Sequence, residues 1–289
     1  MFKLTLEYDG GAFHGWQAQP GDVRTVAREL AAALRTVTGQ APVLVAAGRT
    51  DAGAHSLGQV VSFSIDAPRE GARGAHDASR EYARGAHDAP REGARGAHDR
   101  ELSPERLMAA LNGVLPADVA VVAAEIAPEG FHARFSARSR AYRYLVENRE
   151  ARGALLRGHA WHVRQPLALD AMRRAAAALV GRHDLAAFGS DPAGRNTVRN
   201  LETLRIRRLS TPGGRIPALR PALEGGLLSF ELRADAFLYG MVRRIVGFLV
   251  EVGLGRRSAE EAAVWLSRRE PVAARTAPAH GLYQLGVEY

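Results

Sequence analysis

The chain has 289 residues, 46% hydrophobic and 24% charged, with a formal net charge of +8, the profile of a soluble globular protein with a sizeable core. Cysteine is absent, which excludes disulfides and cysteine-ligated metals. The positive charge and a pI near 10.5 suit a polyanionic partner. Lys3 is the only lysine, so nearly all of the 39 basic residues are arginine. Arginine binds phosphate through two parallel hydrogen bonds and stacks on bases. The excess of arginine and alanine also matches a compositional bias, so charge alone leaves a generic basic protein open.

In chain order, Met1 to Glu7 carries charges where a signal peptide needs an apolar run, and Leu4 to Tyr8 alternates as a strand. Val26, Leu30, Leu34 and Val37 recur at helical spacing behind Thr25, a candidate N-cap. Val43 to Ala47 and Gln59 to Ile65 read as strands. Residues 67–99 are three near-copies of an 11-residue unit, carrying six arginines against six acids, with Tyr82 as the one large nonpolar side chain. An 11-residue period could indicate a coiled coil, but there is no apolar seam, and glycines in every unit oppose a helix. The segment from about 66 to 101 therefore reads as a solvated, disordered insertion. His76, His87 and His98 recur within it without the other ligands a metal site needs.

Past the insertion, Ser103-Pro104-Glu105 opens a helix with Leu107, Met108, Leu111 and Leu115 on its apolar face, and Val119 to Ile126 reads as a strand. The order is β-α-β-β-α-β, a ferredoxin-like unit of the kind used by RNA-binding sheets. The remainder repeats the pattern more loosely. Tyr142 to Glu147 is a strand, Leu169 to Val180 a helix, and Arg199 to Leu209 and Leu227 to Arg233 are strands. A long apolar helix spans about Phe237 to Val252, another begins at the capping box Ser258 to Glu261, and Leu282 to Tyr289 closes the chain as a strand. The stretch Ala236 to Gly253 is too short and too charged to span a bilayer. The expected fold is α+β: two ferredoxin-like or RRM-like halves, 1–130 and 131–289, with sheets joined into one mixed, mainly antiparallel sheet and a central cleft.

The densest chemistry lies in Gly48-Arg49-Thr50-Asp51-Ala52-Gly53-Ala54-His55, between two expected strands. Its glycines allow a sharp turn and the close approach of a ligand. By local sequence alone, Asp51 could equally stabilise a turn, or ligate a metal together with His55.

The same residues carry a resemblance. Gly48 to Gly53 with His55, then Gly58-Gln59-Val60-Val61, is similar to the signature of the TruA kind of tRNA pseudouridine synthases. Further blocks match in order: Tyr8-Asp9-Gly10 with Phe13 to Gln17, Thr25-Val26, Leu111-Asn112 and Leu115-Pro116. Phe131 to Ala137 with Tyr142-Arg143-Tyr144 resembles a strand facing the cleft, and Phe237 to Gly247 and Gly281-Leu282-Tyr283 complete the set. The resemblance covers the chain except Asp66 to Glu101. Ala54, Gly240, Arg244 and Ala27 depart from common family residues without removing a required chemical group.

The resemblance implies that Asp51 is the catalytic carboxylate, Tyr142 the active-site tyrosine, with Tyr144 as runner-up, and Arg243 the partner of Asp51. A guanidinium on an otherwise apolar helix needs such a partner on physical grounds as well. Arg49 corresponds to an arginine that replaces a flipped nucleotide, and Leu282 to the hydrophobic residue under the uracil ring. Arg134, Arg138, Arg140 and Arg143 form a candidate phosphate track. The implied activity is isomerisation of uridine to pseudouridine at positions 38, 39 and 40 of the tRNA anticodon arm, by a cytoplasmic homodimer without metal or small-molecule cofactor. Two other classes stand beside it: a non-catalytic RNA-binding protein on the same sheets, and a metal-dependent hydrolase using Asp51 and His55.

Overall fold

The computed structural model describes residues 1–65, 102–191, 194, 196–209, 226–268 and 270–289. The repeat insertion at 66–101, with its expected disorder, lies outside the described residues. Ten strands form one sheet in the order β4-β1-β3-β10-β5-β9-β8-β7, with β2 (Val45–Ala46) on β3 (His55–Phe63) and β6 (Trp161–Val163) on β5 (Ser139–Asn148). The other strands are β1 (Phe2–Tyr8), β4 (Val119–Ile126), β7 (Gly181–Asp184), β8 (Val198–Arg208), β9 (Leu227–Ala234) and β10 (Leu282–Glu288). Pairing is antiparallel except β3 with β10 and β5 with β6. The sheet is thus mixed and mainly antiparallel, as expected.

Each half of the sheet follows from its hydrophobic pattern. Helix α1 (Val26–Thr38) buries Val26, Leu30, Ala33 and Leu34, and α2 (Pro104–Val114) buries Leu107 and Leu111. These side chains pack with Leu4, Leu6, Val61 and Phe63 in one apolar cluster. A second, larger cluster joins α3 (Leu169–Leu179), α4 (Met241–Gly253) and α5 (Glu261–Leu266) to β5, β8 and β9. Helix α2 starts as read, with Pro104 in its first turn and the Ser103 hydroxyl accepting the Arg106 N–H at 3.4 Å. Helix α1 starts differently. The Thr25 hydroxyl makes no capping bond; the carbonyls of Gly15 and Trp16 accept the Val26 and Ala27 N–H groups instead, at 3.2 and 3.1 Å. The first loop therefore does the work expected of the side chain.

Two other expectations shift. Helix α4 begins at Met241, because Gly240 before it takes a left-handed conformation with φ of 71°. Phe131 to Ala137 is a turn between β4 and β5 rather than a strand. Strands β6 and β7 are three and four residues long and gave no readable alternation.

The two halves of the sheet meet at β3. Its edge is shared: β2 pairs antiparallel with Val61 and Ser62, while β10 pairs in parallel with His55 and Ser56. The edge forks there, and the loop from Ala47 to Ala54 spans the fork. Gly58 sits at the seam, where a Cβ would lie 2.6 Å from the Leu285 carbonyl oxygen of β10, a backbone atom that cannot swing aside. Substitution Gly58→Ala is expected to destabilise the protein by about 1–3 kcal/mol, lowering the thermal midpoint by several degrees. An unchanged melting curve would show that the seam is not close-packed.

Candidate active site

The Asp51 loop is held from three sides. From the first loop, the Trp16 N–H donates to the Thr50 carbonyl and the Gly53 N–H to the Phe13 carbonyl, both at 3.1 Å. From β1, the Tyr8 hydroxyl hydrogen-bonds the Thr50 hydroxyl at 2.8 Å. From β3, the Gln59 amide donates to the Gly48 carbonyl at 2.7 Å, and Gln284 of β10 donates in turn to Gln59 at 3.3 Å. Glycine is required where the chains touch. A Cβ on Gly10 would lie 1.8 Å from the Ala54 carbonyl oxygen, and Gly15, at φ +88°, lies against the Thr50 carbonyl.

This frame presents Asp51 to α4. Arg243, in the first turn of α4, donates from Nη1 to Asp51 Oδ2 at 2.7 Å. The side chains retain 13% exposure for Asp51 and 23% for Arg243, so the pair is largely but not wholly withdrawn from solvent. The guanidinium is fixed a second time, by Nε donating to the Ala277 carbonyl at 2.7 Å, while the Ala277 N–H returns a bond to the Arg243 carbonyl at 3.1 Å. Segment Arg275–Ala277 can lie this close because residue 247 is glycine; a Cβ there would meet the Arg275 carbonyl oxygen at 1.8 Å. Gly240 and Gly247 thus serve distinct purposes, one starting the helix and the other admitting the strap that holds Arg243.

Tyr142 of β5 is buried across from this pair, with Phe237 edge-on at a ring separation of 4.8 Å. A Cβ on Gly48 would lie 3.6 Å from its hydroxyl, so the tyrosine reaches the base of the Asp51 loop. Burial pushes the Tyr142 phenol up to about 12, with the nearby Arg140 charge lowering it and the Asp51 carboxylate raising it further. Tyr144, two residues along the same strand face, is fully buried and donates to the Pro278 carbonyl at 2.6 Å. Its hydroxyl is committed to the strap next to Arg243, so of these two strand tyrosines Tyr142 is the one that reaches the loop. Leu282 is buried and pairs in register with Tyr144.

The arginine track divides. Arg49, Arg134 and Arg138 are exposed. Arg140 is not a free phosphate ligand: its guanidinium donates to the carbonyls of Ala47, Arg134, Ala137 and Asp235 at 3.4, 2.6, 3.4 and 2.7 Å. Arg143 projects from the face of β5 opposite Tyr142 and pairs with Glu231 at 2.8 Å. Sequence spacing could not separate these four, because the carbonyls that occupy Arg140 lie up to 95 residues away.

His55 does not join Asp51 as a metal-ligand pair. Its Nδ1 lies 3.1 Å from the Gly10 N–H, and its Nε2 lies 3.0 and 3.1 Å from the carbonyls of Gly158 and His280. The ring stacks on Tyr283 at 4.7 Å, and its acidic neighbour is Asp9, at 3.0 Å. His55 is a tie among three segments, a role its spacing did not signal.

Comparison with known proteins places this geometry. Residues 175–289 match a family model described as tRNA pseudouridine synthase. The chain is 40% identical to tRNA pseudouridine synthase A of Moorella thermoacetica, over 99% of this chain and 98% of that one. It is 34% identical to the Acetivibrio thermocellus protein of that name, over 99% and 98%, and 36% identical to the Methylacidiphilum infernorum protein, over 100% and 95%. The chain belongs to the tRNA pseudouridine synthase A family. Members of such a family share an overall fold, and here the residues read from the family signature converge in space: Asp51 on Arg243, and Gly48 on Tyr142.

The tyrosine environment gives a test. Tyr142 is raised from 10.0 to about 12, and Tyr8, Tyr144, Tyr283 and Tyr289 are also raised by burial. A raised pKa means that the folded state keeps its protons while the unfolded chain loses them, so stability is intact below pH 10 and falls as pH climbs from about 10 toward 12. Thermal midpoints measured across that window should drop steadily, with the tyrosinate absorbance of these five residues appearing only as the fold is lost. Most tyrosines ionising near pH 10 in the folded protein would contradict the burial described.

Proposed function

We propose that this chain converts uridine to pseudouridine in tRNA, with Asp51 as the catalytic carboxylate. The observation that carries this reading is the Asp51–Arg243 pair at 2.7 Å on a loop braced by both halves of the sheet. The reaction breaks the N1–C1′ bond, turns the uracil, joins C5 to C1′, and moves the C5 proton to N1. Breaking the bond leaves the sugar carbon electron-poor, and a fixed carboxylate oxygen can add to it or accept a proton on a glycal route. Arg243 keeps that oxygen in one place and compensates its charge in a site shielded from water. The Tyr142 phenol, pushed up to about 12 by burial, stacks on the base and serves as acid or base in the transfer of the C5 proton to N1. Leu282 underlies the uracil ring in this reading, and Arg49 fills the gap left by the everted nucleotide.

The substrate positions 38, 39 and 40 of the anticodon arm, the homodimer and the cytoplasmic setting are part of the proposal, on the strength of the matched signature blocks. Exposed Arg134 and Arg138 supply phosphate contacts. Among the described residues, no helix is long and apolar enough to cross a membrane. The test is mass mapping of pseudouridine in unmodified tRNA after incubation with the pure protein in metal-free buffer. Product is expected at the anticodon-arm uridines. Asp51→Asn is expected to lower turnover at least about a thousandfold while tRNA affinity stays within a few-fold. Turnover surviving in Asp51→Asn would remove Asp51 from the chemistry.

A further inference from the structure

We infer that Phe135 is a preformed stacking platform for an unpaired base of the RNA substrate, outside the pocket of the reacting uridine. The inference rests on the proposed activity for the nature of the RNA, and on its own geometry for the contact. Phe135 is the most exposed aromatic side chain among the described residues, at 76%. A lone exposed apolar residue is ordinary on a protein surface. What distinguishes this one is how tightly its turn is held.

His132 stacks on the Phe135 ring at a centroid separation of 4.4 Å. The same imidazole accepts the Arg134 and Phe135 N–H groups at Nδ1, both at 3.2 Å. The Ser136 N–H donates to the His132 carbonyl at 2.9 Å, and the His132 N–H to the Ser136 hydroxyl at 3.0 Å. Ala133, in the middle of the turn, is buried. It is pinned to β3 through the Ser62 hydroxyl at 3.2 Å and to the last residue, Tyr289, at 2.9 Å. One ring face is thus backed by an imidazole, and the turn itself has little freedom left to lose on binding, which is the condition for an aromatic contact to contribute fully.

Charge and place identify the occupant. The Arg134 guanidinium lies over the Phe135 ring at 5.6 Å, and Arg134 and Arg138 are both exposed beside it. An aromatic ring flanked by guanidinium groups matches a nucleobase with its phosphates. The turn is also tied to the catalytic loop: Arg140 donates to Arg134 on the platform and to Ala47, four residues before Asp51. Substrate stacked on Phe135 is therefore registered against the loop that carries the carboxylate.

The test compares Phe135→Ala, Phe135→Trp and the unaltered protein for binding of an unmodified tRNA transcript, with melting temperature and sedimentation mass measured on each. Loss of one base stack corresponds to about a 5- to 150-fold rise in Kd. That rise is expected for Phe135→Ala at an unchanged melting temperature and mass, with Phe135→Trp restoring affinity. An unchanged Kd in Phe135→Ala would overturn the platform. A change of mass would overturn it too, by showing that the ring packs against a second copy of the chain. Turnover of the unaltered protein, measured in parallel, decides the proposed activity independently of these outcomes.

Discussion

A carboxylate and a guanidinium 192 residues apart in sequence meet at 2.7 Å, and most of the fold's peculiarities are arranged around that contact. A charged group on an apolar helix is expensive to bury alone, and breaking a partly buried pair leaves one charge stranded. Arg243 avoids that cost with two partners, Asp51 and the Ala277 carbonyl. Each partner needs its own access. Gly247 lets the 275–277 strap lie on the helix, and Gly10 and Gly15 let the first loop press the Asp51 loop toward it. Loop, strap and helix belong to different parts of the chain, so the pair can form only when both halves of the sheet have joined.

The joining is made at an unusual place. A ferredoxin-like sheet ordinarily ends at its outer strands, whereas here β3 divides one edge between the short β2 and the parallel β10. The backbone of the Asp51 loop emerges where the two partners diverge, so its groups are not consumed by strand pairing and instead brace the loop through Phe13, Trp16 and Gln59. Buried amides fill the fork: Gln284 reaches Gln59, and Gln59 reaches Gly48. The closing strand of the second half is thereby coupled to the glycine that begins the Asp51 loop of the first.

Much of this was legible in the sequence. Strand β4 falls on Val119 to Ile126 as read, α1 and α2 fall on their apolar periodicities, and the order of elements gave two ferredoxin-like units. The oddity of Arg243 on an apolar helix pointed to a buried acidic partner before any fold was known. What failed to show was whatever depends on distant backbone. The carbonyls that absorb Arg140, the Glu231 side chain opposite Arg143, and the Gly15 and Trp16 carbonyls that displace Thr25 as a cap leave no trace in local spacing. Strands β6 and β7 are too short to alternate, and Phe131 to Ala137, expected as a strand from the resemblance alone, is a turn held by hydrogen bonds to His132 and Ser62.

The measurement closest to the central claim is the single-turnover rate of pseudouridine formation by Arg243→Gln with saturating tRNA. If the guanidinium holds the carboxylate at the reacting carbon, the rate constant falls by about a hundredfold or more, as misplacement of a reacting group by an ångström would cause. The tRNA affinity, set by phosphate and base contacts elsewhere, stays within a few-fold. A rate equal to that of the unaltered protein would contradict the account, because Asp51 would then be positioned without its partner.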